Sequence, residues 1–188
     1  MQIPKQAKRV FKGVIFDVYQ WKQKMFDGSY EIFEMLKRPD TVQIIATKGD
    51  NILIAEEEQP GSPKSDGLFG GRVDEGEQPL DAAKRELLEE TGMESEEWEL
   101  FKVYEYYFKI DWKLYYYIAR NCGKIAEPKL ENGEKINVKE VSLDEFFKMV
   151  LGDKFKGGEF RFDMLKKSLN DSKLVKFKKM LFGSIRKL

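Results

Sequence analysis

The chain contains no histidine. Imidazole triads, imidazole metal ligands and imidazole general bases are therefore excluded. Cys122 is the single cysteine, which rules out a disulfide framework and a thiolate metal cluster; it reads as a buried or incidental thiol rather than a nucleophile. No apolar run approaches the roughly 20 residues that span a bilayer. The opening MQIPKQAKRV lacks the apolar core of a signal peptide. Net charge is missing too: 33 basic residues balance 33 acidic ones, so no global field favours nucleic acid or an acidic membrane. The expectation is a cytoplasmic protein with neither membrane nor nucleic acid as partner. If it is an enzyme, carboxylates, lysines, tyrosines or a metal must carry its chemistry.

What is present is concentrated between Gly71 and Met93, GRVDEGEQPLDAAKRELLEETGM. A glycine-rich turn, Phe69-Gly70-Gly71, precedes a helix signal. Pro79 suits a first helical turn, where its missing N–H costs nothing, and Gly92 suits a left-handed stop. Leu80, Ala83 and Leu87 recur at helical spacing and should face a core. Glu86, Glu89 and Glu90 are three and four residues apart, so they converge on one patch. Converging carboxylates repel one another. A solvated acidic face is the bland account of them; a hard divalent cation bound by oxygen ligands is the sharper one.

Along the rest of the chain, Lys12 to Trp21 and Tyr30 to Leu36 read as strands joined by a turn near Phe26-Asp27-Gly28-Ser29. Thr41 to Thr47 and Ile52 to Glu56 form a hairpin around Lys48-Gly49-Asp50-Asn51, and Gln59 to Leu68 is loop by composition. Trp98 to Lys109 and Lys113 to Arg120 form a second, aromatic-rich hairpin, carrying Tyr104, Tyr106, Tyr107, Phe108, Trp112, Tyr115, Tyr116 and Tyr117. Such aromatics serve core and cross-strand pairing, or stacking on a nucleobase. Asn121 to Gly133 reads as loop and Ile136 to Val141 as a strand. Ser142-Leu143-Asp144-Glu145 is a capping-box signal for a helix through Met149. Residues 159–188 read as helical and basic, either a solvated face or a surface for an anionic partner.

The spacing Gly71, five residues, Glu77, seven residues, Arg85-Glu86-Leu87, one residue, Glu89-Glu90, one residue, Gly92 and an aliphatic Met93 resembles the signature of the Nudix hydrolases at every fixed position. The motif itself spans Gly71 to Met93; the order of elements extends the resemblance more weakly over residues 10–165. The resemblance implies an α/β (α+β) fold, the Nudix αβα sandwich with a mixed central sheet. The strands before Arg38-Pro39-Asp40 resemble the small N-terminal antiparallel sheet of the ADP-ribose pyrophosphatase branch. That implies a division into residues 1–38 and 39–188, and a homodimer.

The same resemblance implies hydrolysis of the pyrophosphate bond of a nucleoside diphosphate joined to another moiety, ADP-ribose or an ADP-sugar first. Cleavage of nucleoside triphosphates or RNA caps is the alternative enzyme reading, and an inactive nucleotide-binding module is the alternative from another class. Mg²⁺, with Mn²⁺ as substitute, is the implied cofactor. Its implied ligands are Glu86, Glu89, Glu90 and the carbonyl of Gly70, with Glu77 and Arg85 paired to fix the loop to the helix. The implied general base is Glu86 or Glu134, with Glu131 in reserve. Trp21, Phe26 and Trp112 are candidates for stacking on adenine. Three features depart from that branch: Phe69 stands where proline is usual, Gln59-Pro60 where an arginine is frequent, and no proline lies between Tyr104 and Trp112.

Overall fold

A computed structural model describes residues 2–105 and 109–183. The chain runs β1 (Lys8–Lys12), β2 (Asp17–Lys24), β3 (Tyr30–Lys37), β4 (Thr41–Lys48), β5 (Asn51–Glu58), β6 (Ser65–Gly67), α1 (Pro79–Thr91) and β7 (Met93–Glu94). It continues through β8 (Glu97–Glu105), β9 (Ile110–Asp111), β10 (Lys113–Arg120), β11 (Gly123–Lys124), β12 (Lys135–Val141), α2 (Leu143–Leu151), α3 (Gly158–Ser168) and α4 (Asp171–Phe182). A mixed six-stranded sheet of order β12-β5-β4-β10-β8, with β6 beside β5, forms the middle layer. Within it β4 and β10 run parallel and the other neighbours antiparallel.

The period-2 alternation of the central strands sorts their side chains into two cores. Val42, Ile44 and Ala46 of β4, Leu53 and Ala55 of β5 and Tyr117 and Ala119 of β10 meet Ala82, Ala83 and Leu87 of α1. On the opposite face, Ile45, Ile52, Ile54, Tyr116 and Ile118 meet Phe146 and Val150 of α2, Phe160 and Met164 of α3, and Phe177 and Leu181 of α4. Strands covered on both faces read as near-continuous apolar runs, which is how β4 and β5 read. The result is an αβα sandwich.

Helix α1 begins and ends where its sequence says it should. Pro79 occupies the first turn, and Gly92 adopts φ 68°, donating its N–H to the Leu88 carbonyl at 2.8 Å. A side chain at Gly92 would also collide with the Ala126 carbonyl. The box at the start of α2 closes in both directions: the Glu145 N–H donates to Ser142 Oγ at 3.3 Å, and the Ser142 N–H to Glu145 Oε2 at 2.9 Å.

Several expectations need correction. The strand expected from Lys12 to Trp21 is broken by a turn at Gly13, whose N–H donates to the Phe16 carbonyl at 3.0 Å. A Cβ at Gly13 would lie 2.4 Å from that same oxygen, so the turn depends on glycine, and Val14 projects into solvent. The N-terminal strands β1-β2-β3 pair antiparallel as expected, and β9 adds to them, parallel to β3. Ile110 and Asp111 thus leave the expected hairpin to pair with Leu36 and Lys37. Tyr106, Tyr107 and Phe108 of that hairpin lie outside the described residues. Short strands β6 and β11 occupy segments expected to be loop. The basic C-terminal stretch is two helices, split where Asn170 accepts the Lys173 N–H at 3.0 Å as a cap; Arg186 and Lys187 lie outside the described residues.

Candidate active site

At the C-terminal half of α1, three glutamates share one guanidinium. Arg85 donates from Nε and Nη2 to the two carboxylate oxygens of Glu77 at 3.0 and 3.1 Å. Its Nη1 donates to Glu86 at 2.8 Å and Glu89 at 3.0 Å, and its Nη2 also donates to the Arg72 carbonyl at 2.9 Å. Each of the five N–H groups of the guanidinium therefore has an acceptor. Glu77 in turn accepts the Asp74 N–H at 3.0 Å, so loop 72–77 is tied to the helix at both ends. The Arg85 hydrogen bonds hold the Glu77 carboxyl below its ordinary range, and Glu77 before any other partner raises the pKa of Arg85.

Glycine at positions 70 and 71 is dictated by what lies against them. Gly70 adopts φ 145° with a virtual Cβ 2.1 Å from the Val42 carbonyl, and its N–H donates to Glu90 Oε2 at 2.8 Å. At Gly71 a Cβ would sit 2.4 Å from the Glu86 carboxylate. Any side chain there would fill the place where the two glutamates meet the turn.

Burial is the leading reason that Glu86 and Glu90 both titrate above the usual carboxylate range. For Glu86 the Arg85 hydrogen bond opposes this, while Glu89 and Glu134 add repulsion. For Glu90 the shift is larger; the Gly70 N–H opposes it, and Glu86, Glu134 and Glu57 add to it. Glu134 is raised as well, by burial first and then by Glu131, Glu57 and Glu89. The structure thus brings Glu134 to Glu86 and Glu90 from the turn before β12, where it lines a cleft of about 400 Å³ with Gln59 and Pro60. Glu131 closes that turn through its carbonyl, which accepts the Glu134 N–H at 3.1 Å.

Hard oxygen donors, part-buried and mutually repelling, fit a divalent cation by their chemistry. Among the described residues no three acidic side chains are gathered as a metal-holding group; Glu86 and Glu89 are paired with Arg85 instead.

The three aromatic candidates are not brought together. Trp21 is buried against Phe33, ring centroids 5.9 Å apart, and donates to Gln23. Its covered ring does not fit a stacking role within this chain. Phe26 is fully exposed on the β2–β3 turn. Trp112 donates to Thr41 Oγ1 at 3.2 Å and carries the Arg38 guanidinium 4.2 Å above its ring. Arg38 lines a cavity of about 850 Å³ between the small sheet and loop 72–76, together with Lys12, Lys37, Asp40, Arg72 and Lys113. Tyr104, Tyr116 and Tyr117, by contrast, are core residues.

Two residues at the site escape a reading of the sequence. Glu57 follows Leu53 and Ala55 on the α1 face of β5, and a glutamate on that alternation was the available signal. Lys156, which donates to Glu57 Oε2 at 2.9 Å, gives no local signal.

A family profile for the NUDIX domain matches residues 37–163 of the 188-residue chain. The chain is 26% identical over 149 residues to the ADP-ribose pyrophosphatase of Bacillus subtilis (strain 168), covering 76% of this chain and 80% of that protein. It is 26% identical over 145 residues to the methanol dehydrogenase activator of Bacillus methanolicus, covering 74% and 78% respectively. A crystal structure of an ADP compounds hydrolase superposes with a TM-score of 0.70 over 97% of this chain and 95% of that one, at 19% identity, a likeness of fold.

Proposed function

The chain belongs to the Nudix family, hydrolases acting on phosphoanhydride bonds, and from that premise we propose that it cleaves the pyrophosphate bond of a nucleoside diphosphate joined to another moiety, ADP-ribose or an ADP-sugar first among them. The observation that carries this is the pair of part-buried carboxylates, Glu86 and Glu90, pressed against the side-chain-free turn at Gly70-Gly71. Their ionised forms are disfavoured by burial, a cost that a bound cation offsets.

Glu86, Glu89, Glu90 and the Gly70 carbonyl are the oxygen donors that would hold such a cation. A divalent ion of the Mg²⁺ kind, with Mn²⁺ as substitute, neutralises phosphate oxygens and acidifies a water when bound. The remaining work falls to side chains. Arg85 fixes loop 72–77 and shares its charge between Glu86 and Glu89. Glu134 is the preferred acceptor for the proton of the attacking water, whose oxygen bonds to one phosphorus as the bridging P–O bond breaks. A base in that role works best with a pKa moved toward neutrality, the direction found for Glu134.

The name of the Bacillus subtilis relative and the extra β1-β2-β3 strands support the ADP-ribose branch. The cavity under the small sheet supports room for the moiety beyond the diphosphate. Val10, Phe11, Ile15, Tyr30 and Ile32 expose apolar surface on β1 to β3, which supports a homodimer paired through the small sheet. Buried, free Cys122 with its pKa pushed up to about 11 suits a reducing, cytoplasmic setting. A panel of ADP-ribose, ADP-glucose, NADH, diadenosine polyphosphates, dNTPs and capped RNA, assayed with Mg²⁺ and with Mn²⁺, tests the assignment. Cleavage of the ADP-linked compounds above the others is expected; cleavage of dNTPs or capped RNA alone would overturn it. Light scattering tests the dimer, and a clean monomer would exclude it.

A further inference from the structure

Every carboxylate near the Gly70-Gly71 turn must coexist with a substrate that is itself an anion. Arg85 cannot supply a donor to it, since its N–H groups are fully occupied by Glu77, Glu86, Glu89 and the Arg72 carbonyl. The lysines at the end of β5 divide by face. Lys64 and Lys139 pair with Glu56, and Lys139 also with Asp66. Strand alternation puts Glu56 on the α2–α4 face of the sheet, with Ile52 and Ile54. Glu57 lies on the other face, in line with Leu53 and Ala55, and its charge acts on Glu90 and Glu134. Lys156 reaches that face.

It does so because residues 154–156 are docked along β6. The Asp66 N–H donates to the Lys154 carbonyl at 3.1 Å and the Lys156 N–H to the Asp66 carbonyl at 3.0 Å, which makes Phe155 a parallel rung opposite Asp66. Phe155 is buried in the α2–α4 core. The next side chain along an extended segment points the opposite way, so burying Phe155 sends Lys156 around the sheet edge to Glu57. Gly157, at φ 119°, then turns the chain into α3. The Lys156 side chain is half exposed, and an ammonium offers three donors. A lysine on a fixed backbone with an exposed end can exchange one anion for another without moving its anchor.

We propose that Lys156 is a substrate-binding residue that leaves Glu57 to hold a phosphate oxygen of the bound diphosphate. This rests on the diphosphate-hydrolase reading of the site and adds to it a cation from the α2–α3 connection, an element outside the Gly71–Met93 motif. The probes are ADP-ribose for turnover and its methylene-bridged, uncleavable analogue for equilibrium binding. Lys156→Ala should raise KM and the analogue's Kd by about ten- to a hundred-fold, the worth of a hydrogen bond to a charged group, with kcat nearly unchanged. Lys156→Arg should recover most of that loss, and neither variant should shift Tm, since the rung along β6 is made by backbone. Glu57→Gln should tighten analogue binding in the parent chain and fail to do so in Lys156→Ala. Turnover by the parent enzyme with unchanged KM and Kd in Lys156→Ala would overturn the role of Lys156 alone. If the parent enzyme neither binds nor cleaves these diphosphates, the hydrolase reading falls and takes Lys156 with it.

Discussion

The two faces of the central sheet share strands β4, β5 and β10 and do opposite things. The α2–α4 face is aromatic and closed: Phe177 packs 5.7 Å from Phe101 and 6.1 Å from Phe147, and Tyr116 stacks on Phe160 at 5.0 Å. The α1 face begins apolar, with Leu53, Ala55 and Leu87, and ends in Glu57, Glu86 and Glu90. Where the first face stops at buried rings, the second stops at part-buried charge. One side stabilises the fold; the other gives up stability to keep carboxylates where water would otherwise hydrate them.

The sharpest break of this contrast is Glu90→Gln. Glutamine keeps an oxygen for the Gly70 N–H but loses the charge. Turnover should fall on the order of 10³-fold, as when a group facing developing charge is removed. A carboxyl whose folded pKa is raised lends stability below its unfolded pKa and loses it as pH rises through the folded value. At neutral pH in EDTA, then, the variant should melt higher than the parent. A lower Tm alongside the lost turnover would mean that Glu90 is structural.

The mirror experiment is Phe177→Ala on the closed face. Phe177 is fully buried, and truncating such a ring typically costs about 3–5 kcal/mol. Urea unfolding should record that loss while kcat per folded molecule stays unchanged. Arg85→Gln falls between the two: it leaves Glu77, Glu86 and Glu89 without their shared cation. A loss of about 2 kcal/mol is expected, below the figure for a fully buried pair because Arg85 is part-exposed, together with lost activity. Arg85→Lys should rescue neither, since an ammonium cannot replace the planar fork on Glu77.

How much of this could be read in advance depends on the range of the interaction. The α1 signature was legible because Pro79, Gly92 and the Glu86–Glu90 spacing act within a few residues of one another. The alternation of β4 and β5 was legible for the same reason, as was the box at Ser142 and Glu145. Gly13 was misread because a lone glycine in an apolar run leaves open whether the chain turns, and the Phe16 carbonyl settles it only in three dimensions. The two-residue β9 and the rung at Phe155 are set by partners far along the chain, Leu36 and Asp66, and carry no periodicity of their own. Lys156 inherits its position from such a rung, so composition could not distinguish it from the other basic residues. Trp21 looked available only because nothing local announced Phe33 beside it.

The smallest predicted effect lies where the closed face itself admits charge. Asp163 of α3 accepts hydrogen bonds from Lys102 at 2.8 Å and Tyr104 at 2.9 Å, with Lys167 at 3.8 Å. Burial alone would raise its pKa; the hydrogen bonds from Lys102 and Tyr104 outweigh that and hold it below the ordinary value. A depressed carboxyl contributes stability that is present above its unfolded pKa and lost as pH falls through the folded one, so this contribution should fade below about pH 4. Asp163→Asn should therefore cost about 1 kcal/mol at pH 7 and less at pH 3, as read by urea melts at both values. An equal cost at both would make Asp163 a packing residue; a cost confined to pH 7 would show that the aromatic face too is locked by a charge, one held by Lys102 and Lys167 as Glu86 and Glu89 are held by Arg85 on the α1 side.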